Sequence, residues 1–168
     1  MQKTRSLTLA AIVAALALVC LYAACLIPGG SLGLTALAGL MLAAVILKSG
    51  LKWGALTWAA VSLLAVVLLP NKAVAVLYAL VLGHYPIWKS LTERLKRRPA
   101  ELAAKLIIFN ALLAVFYLAF RALFTQLTQG LPLPLALLWL AANGVFLVYD
   151  FACSRLLAAY IRRVERHV

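Results

Sequence analysis

Six long apolar stretches run through this chain, and short turn-forming or charged segments separate them. They cover about residues 7–27, 32–47, 53–69, 72–88, 102–124 and 135–161. An α-helix rises 1.5 Å per residue, so about 20 apolar residues cross the hydrocarbon layer of a bilayer. Backbone groups in hydrocarbon must be paired internally, which favours helices for such stretches. We therefore expect an all-α membrane protein, a bundle of six transmembrane helices that forms a single transmembrane domain over residues 1–168.

The composition excludes an ordinary soluble domain. Hydrophobic residues make up 67% of the chain, against about 45–50% in soluble domains. The net charge is +12, but the basic residues lie in short clusters between apolar stretches. A nucleic-acid-binding protein would instead carry a basic stripe on a soluble face. The clusters are typical of membrane topology and of attraction to anionic lipid headgroups, so we expect no nucleic-acid partner.

The distribution of charge orients the predicted helices. The loops after the first, third and fifth helices hold one basic residue, Lys72. The other loops and the two ends hold Lys3, Arg5, Lys48, Lys52, Lys89, Arg94, Lys96, Arg97, Arg98, Arg162, Arg163 and Arg166. Positively charged loops stay on the cytoplasmic side. The pattern therefore predicts a multi-pass protein of the cell membrane with both termini in the cytoplasm.

The first apolar stretch has a second interpretation as a signal peptide. It follows a basic segment, Met1–Arg5, and Tyr22-Ala23-Ala24-Cys25 faintly resembles a lipoprotein cleavage site. A second apolar stretch follows, however, where a polar mature domain would be expected. We therefore expect the first stretch to be retained as a transmembrane helix.

Polar and aromatic residues recur along one face of each of the last three predicted helices. They are Asn71, Tyr78, Tyr85 and Lys89 in the fourth, Asn110, Tyr117 and Arg121 in the fifth, and Trp139, Asn143, Asp150 and Ser154 in the sixth. Polar groups in hydrocarbon usually face the interior of a bundle. The pattern predicts a small-molecule pocket, and interhelical hydrogen bonds with interfacial anchoring by Tyr and Trp are the alternative.

The predicted topology makes this pocket open outward. Its candidate ligand-binding residues are Asn71, Lys72, Tyr78, Tyr117, Arg121, Gln126, Trp139 and Asn143. The side chains of Lys72 and Arg121 suit an anionic group on a ligand, and the aromatic residues suit a flat ring.

Asp150 is the only acidic residue inside a predicted span. A charge at this depth is usually paired, and the candidate partners are Lys105, Lys89 and Arg155. We expect a structural ion pair, with Asp150 and Lys105 as its members, rather than a proton relay.

Catalytic and metal-binding patterns are missing from the sequence. There is no phosphate-binding loop, HExxH motif or Ser/His/Asp set, and Cys20, Cys25, Cys153, His84 and His167 lack the spacing of zinc ligands. We therefore expect no enzymatic activity, no metal and no cofactor.

The first predicted helix carries small residues four positions apart. Ala10 and Ala14 form one such pair, and Ala11 and Ala15 form another. Small residues at this spacing let a second helix approach closely. They are candidates for a surface that binds a partner helix.

With these features the sequence resembles the S components of energy-coupling factor (ECF) transporters, the small substrate-binding subunits of vitamin and metal-ion importers. The shared features are six helices, cytoplasmic termini, small size and the AxxxA spacing. Further stretches that resemble the family are Arg5-Ser6-Leu7-Thr8, Ala38-Gly39-Leu40, the glycine-bounded turn 50–55, and the segments 69–72, 85–89 and 93–94.

The resemblance implies a set of partners and a division of labour. The alanines of the first helix would pack on a coupling transmembrane subunit, and two ATPase subunits would supply energy. A vitamin-like molecule would bind in an outward pocket built from the fourth to sixth helices and the loop after the first helix. The sequence shows no ligand-specific signature of a characterised vitamin binder.

Two other classes share this architecture. Rod-shape proteins of the MreD type are similar in size and helix number, and they act as partners in cell-wall machinery without a ligand. A self-contained small transporter would show internal repeats or broken helices, and no convincing repeat relates the two halves. The polar residues of the last three helices favour the importer subunit.

Overall fold

A computed structural model of the protein describes residues 2–27, 30–92, 98–128 and 134–165. All regular secondary structure in these ranges is helical. The helices are α1 (Gln2–Leu26), α2 (Ser31–Ser49), α3 (Leu51–Leu68), α4 (Lys72–Leu77), a π-helix (Tyr78–Leu82), α5 (Tyr85–Thr92), α6 (Arg98–Ala119), α7 (Arg121–Thr128) and α8 (Leu135–Glu165).

Six helical stretches are long and apolar enough to cross a membrane. They are Lys3–Leu26, Ser31–Ser49, Leu51–Leu68, Lys72–Thr92, Ala100–Ala119 and Leu135–Arg155. The prediction of an all-α protein with six such helices is thereby confirmed. Two spans differ in detail from the sequence prediction. The fourth consists of α4, the π-helix and α5, and the fifth ends at Ala119, after which Phe120 separates α6 from α7.

The chain divides into two compact units, Met1–Gln129 and Gly130–Val168. The first contains α1 to α7 and the second contains α8. The prediction of one transmembrane domain over the whole chain stays a prediction.

Helices α1, α2 and α3 pack against one another in the first unit, and the fourth span packs onto them. Their shared core contains Ala17, Leu21, Ala24, Ala38, Val61, Ala65, Leu69, Val74, Ala75 and Tyr78. Alanine is the commonest residue in this core, and small side chains let helix backbones approach closely. A second cluster, around Ala10, Val13 and Val45, joins the start of α1 to the end of α2.

The turn between α2 and α3 depends on glycine. Gly50 has φ 89°, a left-handed conformation that residues with a Cβ rarely adopt. Its N–H donates to the Ile46 carbonyl at 2.9 Å, which closes the end of α2. A Cβ at Gly54 would overlap the Ile46 side chain. The chain therefore reverses at Gly50 alone, since α3 already begins at Leu51, whereas the resemblance implied a turn over residues 50–55.

Large apolar side chains cover the outside of the first unit. Leu63 and Val67 are each 69% exposed, and Leu118 is 78% exposed. A water-soluble surface rarely carries so much contiguous apolar area, whereas the lipid-facing side of a transmembrane helix must be apolar. The distribution of side chains thus agrees with the span lengths.

The second unit consists mainly of α8, which has 31 residues. At 1.5 Å per residue a helix of this size is about 46 Å long, so it is longer than the hydrocarbon layer is thick. Two polar side chains bond back to its own carbonyls: Asn143 Nδ2 donates to Trp139 O, and Ser154 Oγ donates to Asp150 O, each at 2.9 Å.

Candidate functional site

The fourth span is interrupted inside the membrane. The Gly83 N–H donates to the Tyr78 carbonyl at 2.7 Å, which is the i→i−5 bond of a π-helix. An ordinary α-helix would instead direct this N–H to the Ala79 carbonyl. After Gly83 and His84 the helix resumes at Tyr85 as α5. Short π-helical segments within α-helices are frequent at functional sites, so this break is the first candidate.

A neighbouring helix satisfies the carbonyl that the π-helix releases. The indole Nε1 of Trp58, on α3, donates to Ala79 O at 3.2 Å. The imidazole of His84 also interacts with the backbone of Ala79. Irregular backbone is tolerated at membrane depth only where protein or water can pair its polar groups. The contact between α3 and the π-helix meets that requirement.

Gly83 is fixed by close packing. A Cβ added there would lie 2.7 Å from Tyr78 O and 2.8 Å from Cε1 and Cζ of the Tyr78 ring. The Tyr78 side chain is fully buried in the core that α1, α2 and α3 share. Its ring therefore lies directly against the break.

Two buried polar atoms without a partner belong to the break, and a third lies on the neighbouring α3. Among the described residues, Tyr78 Oη, His84 Nδ1 and Ser62 Oγ have no hydrogen-bond partner. Ser62 lies one turn after Trp58 on α3. The His84 ring centroid lies 5.7 Å from that of Trp58 and 6.4 Å from that of Trp88. The break thus combines unsatisfied donors and acceptors with flat aromatic surfaces, an arrangement that can bind a small polar molecule.

At the far end of the fourth span, α5 buries a cation. Lys89 is 2% exposed, and its Nζ lies 5.9 Å from the centroid of the Tyr85 ring, within the range of a cation–π contact. Tyr85 and Lys89 both belong to the predicted polar face of the fourth helix. The structure buries both of them within the first unit.

At the start of the fourth span, two predicted ligand-binding residues cap helices. Asn71 Oδ1 accepts a hydrogen bond from Ala73 N at 3.0 Å, as an N-cap of α4. Lys72 Nζ donates to the carbonyls of Val66 and Leu69, at 2.7 and 2.9 Å. These carbonyls end α3 and lack partners within the helix. Both residues therefore have structural roles, and their contact with a ligand stays a prediction.

A cationic and aromatic group lies on the elements next to α4, which packs against α7. The guanidinium Cζ of Arg121, the first residue of α7, is 5.9 Å from the Tyr117 ring centroid. The rings of Tyr117 and Phe124 meet edge to face at 5.3 Å. Arg121 is exposed, and the sequence has no acidic residue between Glu101 and Asp150. Because the sequence predicts that these elements lie on the outer side, we call the residues Asn71, Lys72, Tyr117 and Arg121 the outer cluster.

The remaining predicted ligand-binding residues are Tyr78, Gln126, Trp139 and Asn143. Tyr78 lies in the helix core, and the side chain of Gln126 is outside the described part of the chain. Trp139 and Asn143 belong to the second unit, where they bond to each other within α8. A single pocket that includes all of these residues stays a prediction.

The predicted ion pair has a competitor. Lys105 Nζ lies 2.5 Å from Glu101 Oε1, one helical turn earlier in α6. The sequence carries the signal for this pair, since Glu and Lys four residues apart on a helix attract each other. The pair between Asp150 and Lys105 joins the two units and stays a prediction.

The four alanines of the first helix occupy two faces. Ala10 is buried and Ala14 is half-buried, and both pack against the cores of the first unit. Ala11 and Ala15 are exposed. If α1 binds a partner helix, the pair Ala11 and Ala15 is the accessible one.

Within the described ranges, no group of three or more His, Cys, Asp or Glu side chains has the arrangement of a metal site. Cys20, Cys25 and Cys153 form no disulfide within the described part of the chain. The chemistry available around the break and in the outer cluster is therefore hydrogen bonding, cation pairing and aromatic stacking.

Sequence reasoning named Tyr78, His84 and Pro86 but did not anticipate the break or the roles of Trp58 and Ser62. A signal was present, because Gly83 and Pro86 interrupt an otherwise apolar helical stretch. The partners on α3 had no comparable signal, since a tryptophan and a serine in a transmembrane helix are compatible with many packings.

Comparison of the chain with protein-family models, with curated proteins and with solved structures finds no match.

Proposed function

We propose that this protein is the membrane-embedded substrate-binding subunit of an ECF-type importer. It captures a small, vitamin-like molecule from outside the cell and relies on a coupling subunit and two ATPase subunits for energy. In this proposal it has no catalytic chemistry of its own, and both termini lie in the cytoplasm.

The observation that carries the proposal is the packing of α4 against α7. It brings the helix that begins at Lys72 beside the helix that begins at Arg121. Both of these residues are cationic, and neither has an acidic residue nearby in the sequence. Cations at the end of a transmembrane bundle suit an anionic group on a ligand. Tyr117 and Phe124 add an aromatic surface beside Arg121.

The first three helices support the proposed division of labour. They pack through small residues into a common core, and their polar side chains are few. Ala11 and Ala15 are exposed on the outside of α1, where a helix of a coupling subunit has room to approach. The polar and aromatic residues are concentrated in the later helices.

One observation favours the second candidate, an MreD-like scaffold. Asn71 and Lys72 both act as helix caps, a use that needs no ligand. The interrupted fourth span also meets one of the two criteria for a self-contained transporter. The chain nevertheless lacks the internal repeat that is the other criterion.

Purification of the tagged protein from its native membrane, followed by mass spectrometry, tests the proposal. We expect a coupling subunit, two ATPase subunits and a bound small molecule. Cell-wall proteins in place of ATPases would support the scaffold instead. Substrate uptake by the chain alone in proteoliposomes would support a self-contained transporter. Recovery without any partner or bound molecule would overturn the proposal.

The exposed alanines give a sharper test of assembly. Ala15→Leu places a larger side chain on the face proposed for the coupling subunit, without filling the core. We expect recovery of the partner subunits to fall about tenfold or more, which corresponds to roughly 1.4 kcal/mol.

The matched control for this test is Ala60→Leu, which enlarges another exposed alanine, on α3. It should leave recovery of the partners unchanged. Equal recovery with Ala15→Leu and Ala60→Leu would remove α1 from the proposed interface. Bound small molecule should be retained in both variants.

A further inference from the structure

Three buried polar atoms, two at the break and one on the neighbouring α3, belong to residues other than the four of the outer cluster. Tyr78 and His84 belong to the fourth span, and Ser62 belongs to α3. Two of the three side chains are at least nine-tenths buried, since Tyr78 is 0% exposed and His84 is 9% exposed.

We propose that the break in the fourth span is a second binding site. It holds a small uncharged molecule that donates and accepts hydrogen bonds between the Tyr78 hydroxyl and the His84 imidazole. Water and a small organic amide or alcohol share this chemistry.

The Tyr78 ring packs on the residue that precedes His84. The ring carbon that carries the Tyr78 hydroxyl, Cζ, lies 2.8 Å from where a Cβ of Gly83 would be. Gly83 is joined to His84 by a peptide bond. Trp58 contacts both the Ala79 carbonyl and the His84 ring, and this ties α3 to the break. Ser62, four residues further along α3, lies one helical turn from Trp58.

The energetic argument is that polar groups seldom stay unpaired in such a place. Buried polar atoms are nearly always hydrogen-bonded, to protein or to an ordered molecule. The requirement is stronger in a membrane, because bulk water is not available to pair them. Among the described residues no side chain or carbonyl pairs with Tyr78 Oη or His84 Nδ1. A bound molecule with matching groups satisfies both.

The lining determines the chemical class of that molecule. A phenol hydroxyl both donates and accepts, and a neutral imidazole offers one donor and one acceptor. Trp58 and Trp88 place aromatic rings on His84. The buried cation of the same span, Lys89, is engaged with Tyr85. The site therefore suits an uncharged molecule and offers little to an anion or a metal ion.

Thermal unfolding of the full chain in lipid nanodiscs tests the proposal through Tyr78→Phe. This change removes only the hydroxyl. If a bound molecule uses the hydroxyl, the melting temperature should fall by about 3 °C. If the hydroxyl were simply unsatisfied, its removal would leave the melting temperature unchanged or raise it. Tyr22→Phe removes a hydroxyl from an exposed tyrosine and should have no effect.

A second variant shows whether Tyr78 and His84 share one molecule. The melting-temperature changes of Tyr78→Phe and His84→Phe should be non-additive, with the double variant little worse than the worse single variant. If His84→Phe does not fold, the melting temperature of Tyr78→Phe alone decides whether a molecule is bound at the Tyr78 hydroxyl. Strict additivity would refute a shared molecule.

Mass spectrometry of the small molecules released on denaturation distinguishes the two sources. An organic molecule that is present in the wild type and lost in Tyr78→Phe identifies the occupant. A lower melting temperature without such a molecule assigns water. A melting temperature for Tyr78→Phe equal to or above that of the wild type overturns the proposal. The fall in melting temperature caused by Tyr78→Phe should be the same in an Arg121→Gln background. A failure of the proposed ligand binding at the outer cluster can therefore be distinguished from a failure of the proposed site at the break.

Discussion

At the residue scale, the break in the fourth span depends on a position with no room for a side chain. Gly83 has an ordinary helical φ of −70°, so its role is not conformational freedom. Its role is the close approach of the Tyr78 ring and carbonyl. The tyrosine and the glycine therefore form one packing unit, and the π-helix holds them together.

We expect Gly83→Ala to destabilise the protein by about 1–3 kcal/mol, because the added methyl group meets the Tyr78 backbone as well as its ring. The measurement is thermal or denaturant unfolding in detergent. Gly33→Ala is the control, since a Cβ there meets nothing within 4 Å and alanine is the better helix former. Equal stability of Gly83→Ala and Gly33→Ala would show that the break can relax without cost.

The roles of the individual polar residues were only partly predictable from sequence. Asn71 and Lys72 were correctly recognised as polar residues at the start of the fourth span. Asn71 caps a free N–H group at the start of α4, and Lys72 caps free carbonyls at the end of α3. The pattern of apolar residues does not reveal which backbone groups are free. The sequence predicts a pair between Lys105 and Asp150, and the structure pairs Lys105 with Glu101, one turn away on the same helix.

At the element scale, apolar stretches bounded by glycine or proline predicted the first three spans well. The predicted second and third helices, 32–47 and 53–69, lie within two residues of α2 and α3 at each end. Gly50 fixes the reversal between them through a backbone conformation that the sequence directly indicates. Here local chemistry alone determines the structure.

The fourth span was less predictable, for a physical reason. In the π-helix the Gly83 N–H bonds to the carbonyl of Tyr78 rather than to that of Ala79. The spacing of apolar residues in the sequence does not indicate this change. The predicted polar face of this span is buried, but Tyr78 packs into the core of α1, α2 and α3 and not against the outer cluster. Interactions between helices, rather than the pattern within one, decide this outcome.

The bond between Trp58 and Ala79 should stabilise the π-helix. Trp58→Phe keeps an aromatic ring, although a smaller one, and removes the N–H donor, which leaves the Ala79 carbonyl with fewer partners. We expect a loss of about 1–3 kcal/mol in stability and faster amide hydrogen exchange in a peptide that covers residues 78–84. Trp53→Phe, on the same helix, should change neither quantity. Unaltered exchange in Trp58→Phe would mean that the π-helix forms without α3.

At the scale of the whole molecule, the charges separate along the first unit. Lys3 and Arg5 begin α1, and Lys48 and Lys52 flank the turn between α2 and α3. The cluster around Ala10 and Val45 joins these ends, so the four exposed cations lie at one end of the unit. Lys72 caps the opposite end of α3. This arrangement agrees with the proposal that the N-terminus is cytoplasmic.

Several basic residues behind the topology prediction are beyond what the structure describes. They are Arg94, Lys96, Arg97 and Arg166, together with the side chains of Arg98, Arg162 and Arg163. The proposed orientation therefore rests on α1 to α3 and on the sequence. In the proposed orientation, the first residues of α4 and the whole of α7 lie on the outer side of the membrane. The outer cluster would then face incoming substrate.

The amount of small molecule retained per purified protein, measured by mass spectrometry, tests the central claim most directly. Wild-type protein and Lys52→Gln, which removes an exposed cation from the opposite end of the first unit, should retain the same molecule to the same extent. Arg121→Gln should retain at least about tenfold less, since a hydrogen bond to a charged group contributes roughly 1.5–3 kcal/mol. Equal retention by Arg121→Gln and Lys52→Gln, or no retained molecule in the wild type, would contradict the account.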